Sequence, residues 1–341
     1  MSANLYFPSD LFSSGKINYD VAADFLELLA FFSSEKYSLT SEIINASEIS
    51  ADENYEDVDA EIENREEVSS GAILAIQSRM KCLTTSYPFE LDEKGDVLSY
   101  IEKDEGLTFD QASYLLCLIL SNLSNLTPIL GGTACHPSDS EIVRLRNYFQ
   151  YFATAALAAE LNSSAWSFGH PRPDHTNFIN KLTEIWNVLK DGNVDSDPSA
   201  PKNPKDDQVD IFTWKSHPDG LPGCLFGAAQ VATGANWKDK SIKGHMNDVF
   251  WSRWFGRQPV TKVICYHIIP FTRTEVEFRD DVSVLGNILH RLRVPYKVRE
   301  AANLLEKSEE IHIEAYDLLP GATSWIQEYG KRQREDARQQ S

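Results

Sequence analysis

Residues 209–241 read VDIFTWKSHPDGLPGCLFGAAQVATGANWKDKS, and the reading of this stretch decides the fold. Val209 to Trp214 is short, β-branched and aromatic, which predicts a strand. Ser216 to Gly223 is rich in Pro and Gly and predicts a turn. Cys224 to Ala232 predicts a second strand, so Asp210 opens one strand and Gln230 stands near the end of the next. Two adjacent strands bring such side chains together at one sheet edge. An Asp carboxylate and a Gln carbonyl oxygen suit a hard cation such as Mg2+, or Mn2+, which keeps several waters. Lys238 and Lys240 follow Gln230 closely enough to reach back from the next helix. A lysine there would orient or activate water and stabilise the charge that builds on a phosphate.

Working outward, Phe178 to Leu189 predicts a helix and residues 191–208 a polar loop. Lys240 to Phe255 predicts a helix and Val260 to Pro270 a third strand. Helix, strand, hairpin, strand, helix, strand makes an α/β layered core with a mixed sheet. Trp251 and Trp254 are expected to pack the helix on the sheet, and Trp237 either to do the same or to stack on a base. Arg291 and Arg293 lie in a basic region and read as phosphate contacts or as part of a salt-bridged strand. Residues 238–300 hold 12 Lys/Arg against 7 Asp/Glu, although the whole chain carries a net charge of −19. Phosphate binding responds to the local field, so the total does not exclude a nucleic-acid substrate.

The segment DDQVDIFTWKSHPDGLPG…AAQVATGANWKDK resembles the PD-(D/E)xK, or restriction-endonuclease-like, nuclease superfamily. In that superfamily an Asp opens one strand and an acid-x-Lys triplet lies on the next. The likeness is to variants in which Gln replaces the acid, and to bacterial proteins of anti-phage and restriction loci with a Q-x-ATG-x-NW-x-x-K ending. It covers about residues 165–300. It implies Mg2+- or Mn2+-dependent hydrolysis of phosphodiester bonds in DNA, with Asp210 and Gln230 as metal ligands. It further implies a catalytic lysine, Lys240 before Lys238, and an acid on the helix before the first strand, a position that Glu184 fits. The sequence departs from the pattern at Ala232, which stands where the triplet's lysine belongs. Either the lysine has migrated, or the chain is an inactive nuclease-fold subunit that binds protein or nucleic acid in a defence complex. No GxGxxG or GxxxxGK[ST] motif occurs, so a motor would be a separate ATPase. The implied protein partner is such an ATPase, a sensor subunit or a second copy of the chain.

The N-terminal half reads differently. Residues 1–160 hold 9 Lys/Arg against 27 Asp/Glu, with an acidic run over 52–67 that reads as a solvated helix face or loop. Helices are predicted over Tyr19–Phe32, from Ala72 to Leu83, from Thr108 to Leu123 and from Ser138 to Leu161. Thr108 and Gln111 form a capping box, and Tyr87 to Tyr100 reads as a hairpin around Lys94-Gly95. This divides the chain into an acidic helical sensor, partner or regulatory domain, 1–160, and a nuclease domain, 161–341. The five cysteines are far apart and form no CxxC pair, which predicts reduced thiols rather than a zinc or disulfide framework. No apolar stretch approaches the roughly 18 residues of a membrane span, and no signal peptide is evident, so a cytoplasmic protein without membrane contact is expected.

Overall fold

The computed structural model describes residues 18–43, 58–124, 126, 136–234 and 236–340. It is a mixed α/β structure with two compact units, Met1–Val143 with Gly321–Ser341, and Arg144–Pro320. The boundary expected at residue 160 therefore falls earlier, and the end of the chain returns to the first unit. Residues 52–57 of the acidic run lie outside the described residues, as does Cys135. The four described cysteines are free thiols, with Cys117 and Cys224 buried and Cys82 exposed. Among the described residues, no helix is long and apolar enough to cross a membrane.

In the first unit, α1 (Tyr19–Phe32) begins at Asn18, whose side chain accepts from the Asp20 and Val21 amides. Residues 22–32 are buried on every face, so this helix is enclosed rather than amphipathic. Its two enclosed acids are compensated. Arg79, on α2 (Val58–Leu83), pairs with Glu27 at 2.6 Å and with Asp24 at 2.8 Å, while Tyr87 and Tyr114 each donate to Glu27 at 2.7 Å. Strands β1 (Tyr37–Leu39), β2 (Phe89–Leu91) and β3 (Val97–Tyr100) form an antiparallel sheet in the order β1-β3-β2. The β2–β3 pair is the hairpin read from Lys94-Gly95. The next helix, α3 (Phe109–Ser121), starts at the capping box of Thr108 and Gln111. The long α4 (Asp139–Leu161) runs from the first unit into the second.

The second unit is built on a five-stranded mixed sheet in the order β10-β9-β7-β6-β4. Strand β4 (Ser164–Ser167), which the sequence did not reveal, pairs antiparallel with β6 (Ile211–Lys215). Helix α5 (Phe178–Leu189) and the two-residue β5 (Asn193–Val194) lie between them in sequence. Strand β7 (Leu225–Val231) is antiparallel to β6 and parallel to β9 (Val263–Ile268), which is parallel to β10 (Asn287–Leu289). Between β7 and β9 runs α6, residues 242–254, with a π-helical turn over Met246–Phe250. Strand β8 (Phe255–Arg257) pairs with β5. Helices α7 (Glu275–Leu285), α8 (Val294–Lys307) and α9 (Leu319–Gln340) complete the chain.

The sheet is covered, so β6 and β7 read as continuous apolar runs rather than alternating ones. One core joins Phe168, Phe178, Trp186, Phe212, Phe226, Phe250, Trp251 and Trp254, holding α5 and α6 on the sheet as the two tryptophans led one to expect. A smaller cluster joins Ala232, Trp237, Ile269, Leu285 and Ile288 beside β9 and β10.

Candidate active site

Strand register decides which side chains meet. Ile211 pairs with Ala229 across β6 and β7, so the residues one step further, Asp210 and Gln230, are cross-strand neighbours. Gln230 pairs in turn with His267 on β9. Three adjacent strands thus set Asp210, Gln230 and His267 in a row on one face. All three are buried, with His267 only 1% exposed.

Asp210 is held at both backbone and side chain. Its amide donates to the Ala229 carbonyl at 2.8 Å, and its carbonyl accepts from Phe168 and Gly169. Its Oδ2 accepts from Gln230 Nε2 at 2.5 Å and from the Val231 amide at 2.8 Å. The loop before it is unusual. Asp207 and Gln208 both have positive φ, 48° and 68°, a region that non-glycine residues seldom adopt. Asp207 is clamped to α6, with Arg253 Nη1 at 2.7 Å, Trp254 Nε1 at 2.6 Å and His245 Nε2 at 3.4 Å. Those contacts hold a strained turn that delivers the chain to Asp210.

Burial pushes the Asp210 carboxyl up to about 7, and the nearby Asp206 charge adds to it. The Val231 amide, the Lys240 charge and Gln230 work in the opposite direction without overcoming it. Lys240 also acts on His267, whose imidazole burial drives down to about 4. One ammonium therefore influences both ends of the row. Lys240 follows the short 3-10 turn Trp237–Asp239 and is half-buried, whereas Lys238 is exposed and pairs with Asp281 at 3.4 Å.

On its other side Asp210 abuts Gly169. A Cβ at Gly169 would overlap Asp210 Oδ1 and would lie 2.6 Å from Gln150 Oε1. Only the missing side chain lets these oxygens crowd against the backbone there. Gln150, on α4, is buried and donates to Ser167 Oγ at 2.7 Å. Gln230 Oε1 and both ring nitrogens of His267 are buried without a hydrogen-bond partner, an uncommon state for interior polar atoms. The Trp237 backbone nonetheless lies near enough to favour the protonated imidazole, against the larger effect of burial.

The remaining residues singled out in the sequence lie elsewhere. Glu184 is half-exposed on α5, and its carboxylate accepts from Lys181 Nζ at 3.0 Å. Lys181 also binds Asp174 and Glu314, so Glu184 belongs to this ion cluster rather than to the row containing Asp210. Arg291 is fully buried and donates to Thr272, which removes it as a surface phosphate contact. Trp237 is buried beside His267 and Phe271, so its ring is core and not a platform for a base. Arg293 is exposed, with its guanidinium over Phe278 and a bond to the Ile288 carbonyl. Gln150, Gly169 and His267 were not anticipated. The signal for His267 was its place in the third predicted strand, one short of Ile268.

Among the described residues, no three His, Cys, Asp or Glu side chains gather as a metal cage. The oxygens at hand are the Asp210 carboxylate and the Gln230 carbonyl. They fit a cation that keeps much of its water, as Mg2+ does. The unpartnered Gln230 Oε1 is the observation that supports the fit. Comparison of the chain with protein-family models, with curated proteins and with solved structures finds no match.

Proposed function

We propose that this chain is a metal-dependent nuclease that hydrolyses phosphodiester bonds of DNA, with a restriction-endonuclease-like core and a role in bacterial anti-phage defence. One observation carries the reading. Asp210 and Gln230, distant in sequence, are in direct contact at the ends of adjacent strands, and the Lys240 charge acts on that same carboxylate. This is the juxtaposition that the resemblance to the PD-(D/E)xK superfamily implies.

Asp210 and Gln230 would hold Mg2+ or Mn2+, which when bound supplies Lewis-acid polarisation of the phosphoryl group. Lys240 orients the attacking water and offsets negative charge developing on phosphate oxygens. The clamp on Asp207 keeps Asp210 in place before substrate arrives, so little reorganisation is needed. Of the cations singled out in the sequence, Arg293 and Lys238 are the exposed ones that would meet the DNA backbone. Residues 1–143 would regulate the site or bind a partner such as a separate ATPase or sensor.

A second reading, an inactive nuclease-fold subunit, is favoured by Ala232, which is fully buried in a core cluster where the superfamily carries its lysine. The deciding experiment incubates the full chain with supercoiled plasmid and with linear DNA, in Mg2+ or Mn2+. Metal-dependent cleavage that Asp210→Asn abolishes supports the nuclease. No cleavage under either metal, with salt-sensitive DNA retention intact, supports the inactive subunit.

A further inference from the structure

The row on β6, β7 and β9 does not end at Gln230. We propose that His267 is a third ligand of the cation held by Asp210 and Gln230. The site would then take a borderline divalent transition metal, such as Mn2+ or Co2+, in preference to Mg2+. This rests on the metal-dependent reading above and deepens it by naming the class of ion.

The argument begins with partners. An interior imidazole ordinarily donates through one nitrogen and accepts through the other. His267 is 1% exposed, neither ring nitrogen makes a full hydrogen bond, and the one backbone group near it, at Trp237, can serve only one of the two. Its neighbour in the strand register, Gln230, is in the same condition at Oε1. Gln230 Nε2 is engaged by Asp210, which leaves the carbonyl oxygen as the end of the amide available to something else. An unbonded amide oxygen and an unbonded imidazole nitrogen, side by side, do not satisfy each other here. With the imidazole N–H turned to the Trp237 backbone, the other ring nitrogen and the amide oxygen both present lone pairs, and a cation would satisfy both.

Location supports the same conclusion. Gln230 is bonded to Asp210 on one side and paired in register with His267 on the other, so the carboxylate and the imidazole flank the same amide. Trp237 closes that region on one side, its ring 5.8 Å from the imidazole. The resulting donor set is one carboxylate oxygen, one amide oxygen and one imidazole nitrogen. Mg2+ favours oxygen ligands and water, whereas imidazole suits later divalent ions.

The test measures metal binding directly, apart from any cleavage. Co2+ and Mg2+ are titrated into the full wild-type chain and into His267→Gln, with the visible bands of Co2+ and equilibrium dialysis as readouts. The wild type is expected to bind one Co2+ more tightly than Mg2+. His267→Gln is expected to lose roughly tenfold or more in Co2+ affinity, since even outer partners of a ligand contribute on that scale. Its Mg2+ affinity should stay within about twofold. A substitution that costs Co2+ and Mg2+ equally, or neither, overturns the proposal while leaving the nuclease reading intact. A wild type that binds neither ion overturns both. Should His267→Gln fail to fold, pulsed electron paramagnetic resonance on Mn2+-loaded wild type decides. A directly coordinated nitrogen supports the assignment, and bound Mn2+ without nitrogen coupling refutes it.

Discussion

Asp210→Asn should stabilise the second unit above neutral pH. Asp210 is buried, and its carboxyl stands at about 7 against an ordinary 3.8. The folded state therefore holds this proton more tightly than the unfolded chain does. The stability it contributes is complete below about pH 4 and is lost as pH rises through about 7. A tenfold change in proton affinity is worth about 1.4 kcal/mol. The displacement from 3.8 to about 7 thus amounts to roughly 4 kcal/mol at pH 8, taken as an upper bound. Asparagine removes the charge and keeps an oxygen to accept from the Val231 amide and from Gln230 Nε2. For a unit of this size 4 kcal/mol corresponds to roughly 8–16 °C in Tm. Thermal unfolding of both proteins from pH 4 to pH 8.5, without metal, should give curves that converge at the acid end and diverge at the alkaline end. Saturating Mn2+ at pH 8 should raise the wild type and not the variant. Parallel pH profiles, or a variant less stable than wild type at pH 8, would refute the reasoning. The carboxylate would then be better solvated or better paired than its surroundings indicate.

Three further outcomes are expected. Gly169→Ala puts a methyl group onto Asp210 Oδ1 and Gln150 Oε1, and should cost about 1–3 kcal/mol of stability by denaturant unfolding as well as displacing the carboxylate. Lys240→Ala should lower DNA cleavage by on the order of a hundredfold. Lys238→Ala, whose ammonium faces Asp281, should lower it far less, and the reverse ranking would move the lysine assignment without removing the nuclease. Arg79→Met leaves Glu27 and Asp24 enclosed without their cation. It should destabilise the first unit by roughly 3–5 kcal/mol, seen as an earlier unfolding transition.

What was legible in the sequence follows from which signals are local. The capping box at Thr108, the hairpin at Lys94-Gly95 and the helix Phe178–Leu189 rest on neighbours within a few positions, and the structure has each of them. The strand pair carrying Asp210 and Gln230 was legible because its turn is rich in Pro and Gly and its runs are short and apolar. The units were not legible, because the return of residues 321–341 to the first unit depends on packing. Tyr329 meets Phe32 with ring centroids 5.9 Å apart, and Arg334 Nη1 donates to the Phe31 carbonyl at 2.8 Å. Neither contact leaves a periodic mark in sequence. The burial of Arg291 was hidden for a related reason. A basic cluster in sequence does not tell which guanidinium turns inward.

The largest misreading has one origin, strand β4. Ser164–Ser167 is only four residues, with serine at both ends, and carries no alternation from which a strand could be read. It is the edge strand of the sheet, yet its outer side is partly covered. It pairs with β6 on one side, and on the other Ala165 exchanges bonds with His312 and Glu314. Without β4, the helix preceding the first strand is α5, and its acid is Glu184. With β4, that helix is α4, and the side chain it sends to the site is Gln150. The residues that follow β4 then stand against Asp210, where Phe168 and Gly169 donate to its carbonyl. The same correction explains why Glu184 is free to serve the Lys181 cluster, since α5 is held beside the sheet by Trp186 and Phe178 and not by the site. A four-residue strand thus decides which helix supplies the polar side chain beside Gly169. The chemistry assigned to the row of Asp210, Gln230 and His267 therefore depends on backbone pairing more than on any motif.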